Sequence, residues 1–480
     1  MKNSIGKMIA KKLPVILLPI SILLLPPSLL AQSPPDFRAA RDEAVQNLQA
    51  MIRIDTSNPP GNETKLAEYL KGILDKEGIA SEIIALEPSR GNLVARIKGN
   101  GKKKPLLLMG HEDTVGIQKD KWTVDPFAGL IQDGYLYGRG AQDDKGGLAP
   151  MLQVLLLIHR QKLPLDRDII FLAEAGEEGG DPVGIDYLTE KHWPKIESEL
   201  ALNEGGSVHV QENKVQYVGV QTGEKVPRGI KLVAQGVSGH GSMPRMDNPV
   251  WHLATAVAKV GEYQPPMRLN ETTRVFFERL AKISPPDEAF LFTHLEDPAE
   301  GSKAQETLRR SKKASFLLFN SMLRNSISPN IVQGGFRMNV IPTEAEARLD
   351  VRLLPGEDRE QLMKDLRQLI NDPAVEVLPD DWTTFPASPA SRLDSDLFRA
   401  LEKAQSSVYP DAVTLPLMST GATDSARLRI KGVQAYGVGP ASTDEDEERV
   451  HGNDERIAIE GLDKFIEYLY RAVVEVAGAR

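Results

Sequence analysis

The 480-residue sequence contains no cysteine. Disulfide frameworks are therefore excluded, and any metal centre must be assembled from His, Asp and Glu. Positive charge is in deficit: 58 Lys and Arg face 67 Asp and Glu, a net charge of −9. That balance argues against nucleic acid or an anionic membrane surface as the main partner. Internal repeats and long low-complexity tracts are also lacking. A hydrophobic content of 41% and a charged content of 26% belong to a soluble globular protein with room for two or three domains.

The first thirty-odd residues stand apart. "MKNSIGKMIAKK" carries lysines and no acid, and "LPVILLPISILLLPPSLLA" is apolar throughout. This is the order of a secretory signal, with cleavage expected after Ala31 and an exported, periplasmic or secreted product. The alternative is an uncleaved membrane anchor, although Pro14, Pro19, Pro26 and Pro27 make a straight spanning helix awkward.

Helical spacing in "DFRAARDEAVQNLQAMIRI" and "TKLAEYLKGILDKEG" is separated by the breaker "TSNPPGNE". Strand candidates follow at "SEIIAL", "NLVARI", "PLLLMG", "DRDIIFLAEA" and "ELALNEGG", with a buried helix read in "LAPMLQVLLLIHRQ". Strands alternating with helices imply an α/β domain with a mostly parallel central sheet. Near Gly223 the character changes. "RGIKLVAQG" reads as a strand, residues 264–324 as a polar, helix-prone stretch, and "QGGFRMNVIPTEAEARLDVRLLPG" as two paired strands. The expected organisation is a catalytic α/β domain over residues 34–222 and 387–480, interrupted by an α+β insert over 223–386.

The strand ends carry the chemistry. "PLLLMG" delivers His111 and Asp113, "DIIFLAEAG" delivers Glu177 and Glu178, "ELAL" delivers Glu204, and "VQAYGVGP" precedes the loop with His451. The Gly-rich "GRGAQDDKGG" adds Asp143 and Asp144. Such a gathering is expected at the carboxyl edge of an α/β sheet. Two His, a bridging Asp and two Glu suit a pair of divalent ions, and Asp113 can orient His111 by accepting its second N–H. A dinucleotide fingerprint is excluded, because Asp143 stands where its third glycine belongs.

The ordered set "GHEDTV", "GRGAQDDKGG", "EAGEEGG", "LNEGG", "SGHGSMP", "NVIP" and "VHGNDE" resembles metallopeptidase family 20, the dinuclear zinc hydrolases. Length, leader, extended insert and "TGATDSARL" look most like its Gly-X carboxypeptidase branch. The resemblance implies two Zn²⁺, with Co²⁺ or Mn²⁺ as substitutes. His111 and Glu204 would hold one ion, His451 and Glu178 the other, with Asp143 between them and a cis Asp143–Asp144 peptide. Glu177 would be the general base. His240 would stabilise the oxyanion of a partner subunit's site, and the insert would act as a lid and homodimer interface. Arg352, Asn339, Gly421 and Thr423 would line the substrate pocket. Thr114, Val115 and Gly116 replace the common Val-Val-Pro, Asn203 a common Asp and Ala422 a common Gly.

These features imply hydrolysis of small peptides or N-acyl amino acids that carry a free carboxylate. An aminopeptidase or dipeptidase of the same family is the enzymatic alternative. A non-catalytic binding module would have lost a ligand or the base, and all of these positions are intact. No nucleic acid and no stable membrane partner are expected.

Overall fold

The computed structural model describes residue 1 and residues 34–380 and 385–479. The expected leader, residues 1–31, lies outside them apart from Met1. Asp36–Arg480 forms one compact unit, described below. No described helix is long and apolar enough to cross a membrane.

The architecture is α/β around a ten-stranded mixed sheet. At its centre Ile169–Glu174, Leu106–His111, Leu200–Asn203 and Gln434–Gly437 are neighbours and all parallel. Their sequences, "IIFLAE", "LLLMGH" and "LALN" among them, are buried from end to end. A near-continuous apolar run is what a parallel strand needs when both sheet faces are covered. Antiparallel pairs flank this centre: Gly91–Ile97 joins Ile169–Glu174, and Ser207–Gln211 joins Lys214–Glu224.

One face is covered by Phe37–Ile52, Lys145–Gln161, Asp396–Val408 and Leu462–Ala477, sharing a core with Leu106, Leu108, Phe171 and Leu202. The other is covered by Ile185–Lys191 and Ser425–Ile430, which bury Ile185, Leu188 and Leu428 against Leu107, Met109 and Leu172. Alternate residues of one strand therefore serve two cores.

A second sheet is antiparallel, in the order Ser326–Gly334, Glu344–Leu353, Val226–Gln235, Val375–Asp380. Pro249–Glu262 and Arg359–Ile370 pack on it around Ile230, Leu232, Ala347 and Leu366. The first strand of the expected pair starts earlier than its sequence pattern suggests. It occupies 326–334, while Phe336 to Asn339 form the connection.

The polar stretch after Gln264 folds into four short helices, Glu271–Leu280, Pro286–Thr293, Gly301–Arg309 and Ala314–Met322. Their inner faces gather Phe276, Phe277, Phe292, Phe316 and Phe319. That cluster also contains Leu415 and Met418 from Val413–Ser419, so the helices pack on a strand of the central sheet.

Candidate active site

The parallel strands end on one edge, and each delivers a polar group there. His111 closes Leu106–His111 and is 1% exposed. The turn after Ile169–Glu174 carries Glu177 and Glu178, and Glu204 follows Leu200–Asn203 directly. Asp143 and Asp144 precede helix Lys145–Gln161, joined by a cis peptide. His451 sits in the left-handed region, φ 60°, a conformation that is costly for a non-glycine residue and concentrates at functional sites.

The two oxygens of Asp143 face different histidines. Oδ1 is 2.9 Å from His111 Nε2, and Oδ2 is 3.0 Å from His451 Nε2. Glu178 Oε2 lies 3.1 Å from His451 Nε2, and Glu204 Oε2 lies 3.8 Å from His111 Nε2. Ligand atoms of His111, Glu177 and Glu204 lie within 4.8 Å of one another, as do those of His111, Asp143 and Glu178. Donors bound tetrahedrally at about 2.0–2.1 Å stand about 3.3 Å apart, so this spacing fits shared cations. Glu178 Oε1 is buried with no hydrogen-bond partner, so this carboxylate keeps an unused acceptor. The donor set is imidazole and carboxylate, which zinc accepts.

The electrostatics show what the cluster asks for. Burial, reinforced by Glu204, raises the Glu177 carboxyl well above the usual range, and burial raises Glu204 likewise. Burial works to lower His111, but the Asp113 and Asp143 carboxylates hold it well above an ordinary histidine. Asp143 and Glu178 push His451 up to about 10. Crowded acids that keep protons and histidines that gain them both signal an environment completed by positive charge.

Asp113, fully buried, orients His111 mainly through its main chain: His111 Nδ1 is 3.0 Å from the Asp113 carbonyl oxygen and 3.5 Å from its carboxylate. The carboxylate accepts the main-chain N–H groups of Glu177 and Glu178 at 3.1 and 3.2 Å.

Glu455, four residues beyond His451, joins the site although no metal-ligand motif marks it. It is fully buried and accepts N–H groups of Gly140, Gln142 and Asp143 at 3.1, 2.8 and 3.1 Å. Arg139 pairs with it at 2.7 Å and donates to the Gly452 carbonyl at 2.7 Å. One ion pair thus sets the turn of Asp143 and the loop of His451 together. Its signal is present in "VHGNDE", where two acids, Asp454 and Glu455, follow the histidine.

The remaining expected residues lie elsewhere. His240 is exposed on the second sheet's side, where Gly239–His240 pairs with Val340–Ile341, and its Nδ1 accepts the Ser242 N–H at 3.1 Å. Asn339 is exposed and its carbonyl accepts the Gly241 N–H. Arg352, within Glu344–Leu353, pairs with Asp350 at 2.7 Å. Thr423 is buried and donates to Glu224 at 2.8 Å, while Gly421 donates to Ser419 at 3.0 Å. Beside Asp143, Asp144 and Glu204 opens a cavity of about 520 Å³, walled by Phe276, Leu318, Phe319, Met322 and Leu417.

The sheet and its edge define a class, the metal-dependent hydrolases of α/β architecture. The family follows from comparison: the chain belongs to peptidase family M20/M25/M40, whose pattern it matches over residues 107–475. It is 29% identical over 381 residues to a probable carboxypeptidase S-like 2 of Dictyostelium discoideum, covering 77% of this chain and 71% of that one. It is 25% identical over 456 residues to the N-fatty-acyl-amino acid synthase/hydrolase PM20D1 of Homo sapiens, covering 91% and 88%. Among solved structures, an M20 family metallo-carboxypeptidase of Sulfolobus solfataricus shares the fold with a TM-score of 0.65 and 20% identity, over 91% of this chain and 99% of that one.

Proposed function

We propose that the protein is an exported, dinuclear zinc amide hydrolase that cleaves peptides or N-acyl amino acids bearing a free carboxylate. The observation that carries this reading is the placement of Asp143, whose two oxygens each meet a different histidine. His111 and Glu204 would hold one ion, His451 and Glu178 the other, and Asp143 both. Three carboxylates against two Zn²⁺ leave a net charge of about +1, which favours an anionic substrate. Zinc held by these residues would polarise a carbonyl and make water a nucleophile near neutral pH.

Around that centre the chain's own groups move the protons. Glu177 takes the proton of the attacking water and passes it to the leaving amine. His240 donates to the oxyanion in the site of a second subunit. In support, Val332 on strand Ser326–Gly334, Phe336 and Met338 in the connection after it, Met243 in the turn after His240 and Trp251 on helix Pro249–Glu262 are all exposed, apolar side chains suited to homodimerisation. Arg352 and Asn339 belong to the same lid and, with Gly421 and Thr423 on the catalytic side, frame the substrate.

The cavity favours an apolar acyl or side chain next to the scissile bond. Among the described residues no lysine or arginine lines it, while Asp444, Glu447 and Glu448 do. That lining also gives the second reading, a dipeptidase or aminopeptidase, a specific basis, since acids would welcome a free amine.

A hydrolysis panel on the zinc-loaded protein tests both. Native enzyme and Glu177→Ala are compared on N-acyl amino acids, Gly-X dipeptides and their amino-blocked and carboxyl-amidated forms. Turnover of amino-blocked, free-carboxylate substrates should fall by about 10²–10⁴ in Glu177→Ala with metal retained. Cleavage confined to free-amine substrates selects the second reading. No turnover by a fully metallated native protein removes both.

A further inference from the structure

The breaker "TSNPPGNE" sits against the site, and its polar side chains are not spent on helix capping: Asn58 and Glu63 belong to a partly buried network outside the ligand set. Arg90 is 5% exposed and Glu63 fully buried. Arg90 Nε donates to the two oxygens of Glu63 at 2.9 and 2.7 Å. Its terminal nitrogens both donate to Asp181 Oδ2 at 3.1 Å. Asn58 Nδ2 joins the halves, donating to the same Asp181 oxygen at 3.0 Å and to Asp113 Oδ2 at 2.9 Å.

The network ends on the turn that carries Glu177 and Glu178. Asp113 holds the N–H groups of both residues. Asp181 closes the same turn, its N–H donating to the Gly176 carbonyl at 3.0 Å. The turn is therefore gripped at both ends, by Asp113 under the two glutamates and by Asp181 beyond them.

Two glycines keep the space for this arrangement. A Cβ on Gly61, φ 71°, would lie 2.3 Å from Arg90 Nε and 2.7 Å from Glu63 Oε2. A Cβ on Gly179 would lie 2.6 Å from both Asn58 Nδ2 and Asp181 Oδ2. Buried ion pairs seldom add net stability over apolar packing, because desolvation offsets the attraction. What this one adds is geometric constraint on two acids of the site.

We infer that Arg90, anchored by Glu63, is a positioning residue: through Asp181 and Asn58 it sets where Glu177 and Glu178 stand relative to His111 and Asp143. The inference rests on the roles proposed above for those two glutamates. Partners of this kind, one step behind the ligands, typically govern about 10- to 100-fold in metal affinity or activity.

The test uses the mature chain with Asp181→Ala, Asp181→Asn and Asn58→Ala, with Arg90→Lys as a fourth variant. Asp181 is 38% exposed, so its truncation should leave the fold intact, whereas a change at Arg90 leaves Glu63 buried with a poorer partner. Melting temperature, kcat, KM and Zn²⁺ affinity by competition with a chromophoric chelator are measured for each. In Asp181→Ala and Asn58→Ala, kcat should fall about 10- to 100-fold with KM within about twofold, and the weaker-held ion should be lost about 10-fold more readily. Asp181→Asn should stay within about threefold of native, because its amide oxygen still accepts from Arg90 and Asn58. Native-like kcat and zinc affinity in both alanine variants would overturn the inference. So would losses that simply follow melting temperature across the set. If the metallated native protein cleaves no amide, the hydrolase reading fails, and chelator competition alone still decides whether the network positions Glu178.

Discussion

His111 and His240 are both strand-end histidines in glycine-containing motifs, yet the fold treats them oppositely. His111 is 1% exposed, with one ring nitrogen on the Asp113 carbonyl and the other on Asp143. His240 is exposed and bonds to Ser242, two residues away. The same contrast separates the two sheets. At the edge of the central sheet the candidate groups are held by one another: Asp143 by Glu455, Glu177 and Glu178 by Asp113, Asp113 by Asn58. On the second sheet Arg352 is paired with Asp350 two residues along its own strand, and Asn339, in the connection leaving that sheet, is exposed. A site completed within one chain can be pre-organised by burial, with His451, 52% exposed, as its open side. His240 and Asn339 have no such burial, and the His240 ring bonds within its own turn.

Asp143→Ala should break the first side of this contrast most severely. Removing both oxygens that face His111 and His451 should abolish binding of two ions per chain and, with it, turnover. Metal analysis after dialysis and the hydrolysis panel read both, and a variant that still binds two equivalents tightly would show that Asp143 does not join the halves.

His240→Ala should separate the two sheets. Loss of an oxyanion donor is expected to lower kcat by about 10²–10³ with unchanged zinc content and melting temperature. Mixed dimers of His240→Ala with Glu177→Ala should recover part of the native activity if the histidine acts across subunits. Full activity from a strictly monomeric sample would remove that role.

The smallest expected effect is on the pH dependence of the metal-free protein. Folded Glu177 and Glu204 hold protons above the ordinary carboxylate range, and His111 and His451 above the ordinary histidine range. The folded state then binds more protons than the unfolded one, so unfolding free energy falls as pH rises. For the carboxyls the loss starts above the ordinary glutamate range, and for His451 it runs from about 6.5 to about 10. Asp143, held well below its usual range by both histidines, acts in the opposite sense and only in acid. Metal replaces those protons, so the rise in melting temperature on adding Zn²⁺ should be larger at pH 8 than at pH 6. A constant rise across that interval would argue that these ionisations are not tied to metal binding.

Much of the central sheet is legible in the chain because strands buried on both faces need unbroken apolar runs, and "LLLM" and "IIFLA" are such runs. Ser326–Gly334 is not legible in that way. It is an exposed edge strand containing Pro329, so no alternation marks it. The phenylalanine cluster escapes for another reason. Its members come from helices of 8 to 10 residues, too short and too separated to show a periodic face.

The sequence by itself determined the class of chemistry. Without cysteine, a cluster of His, Asp and Glu at successive strand ends admits little besides a cation site, and strand order brings those ends to one edge. Only the tertiary structure decided which atom meets which. The two faces of Asp143, the Arg139–Glu455 pair and the Arg90 network join residues from 27 to 316 positions apart. Such contacts leave no periodic trace, because they depend on which main-chain groups burial has stripped of water and which charged side chain is near enough to satisfy them.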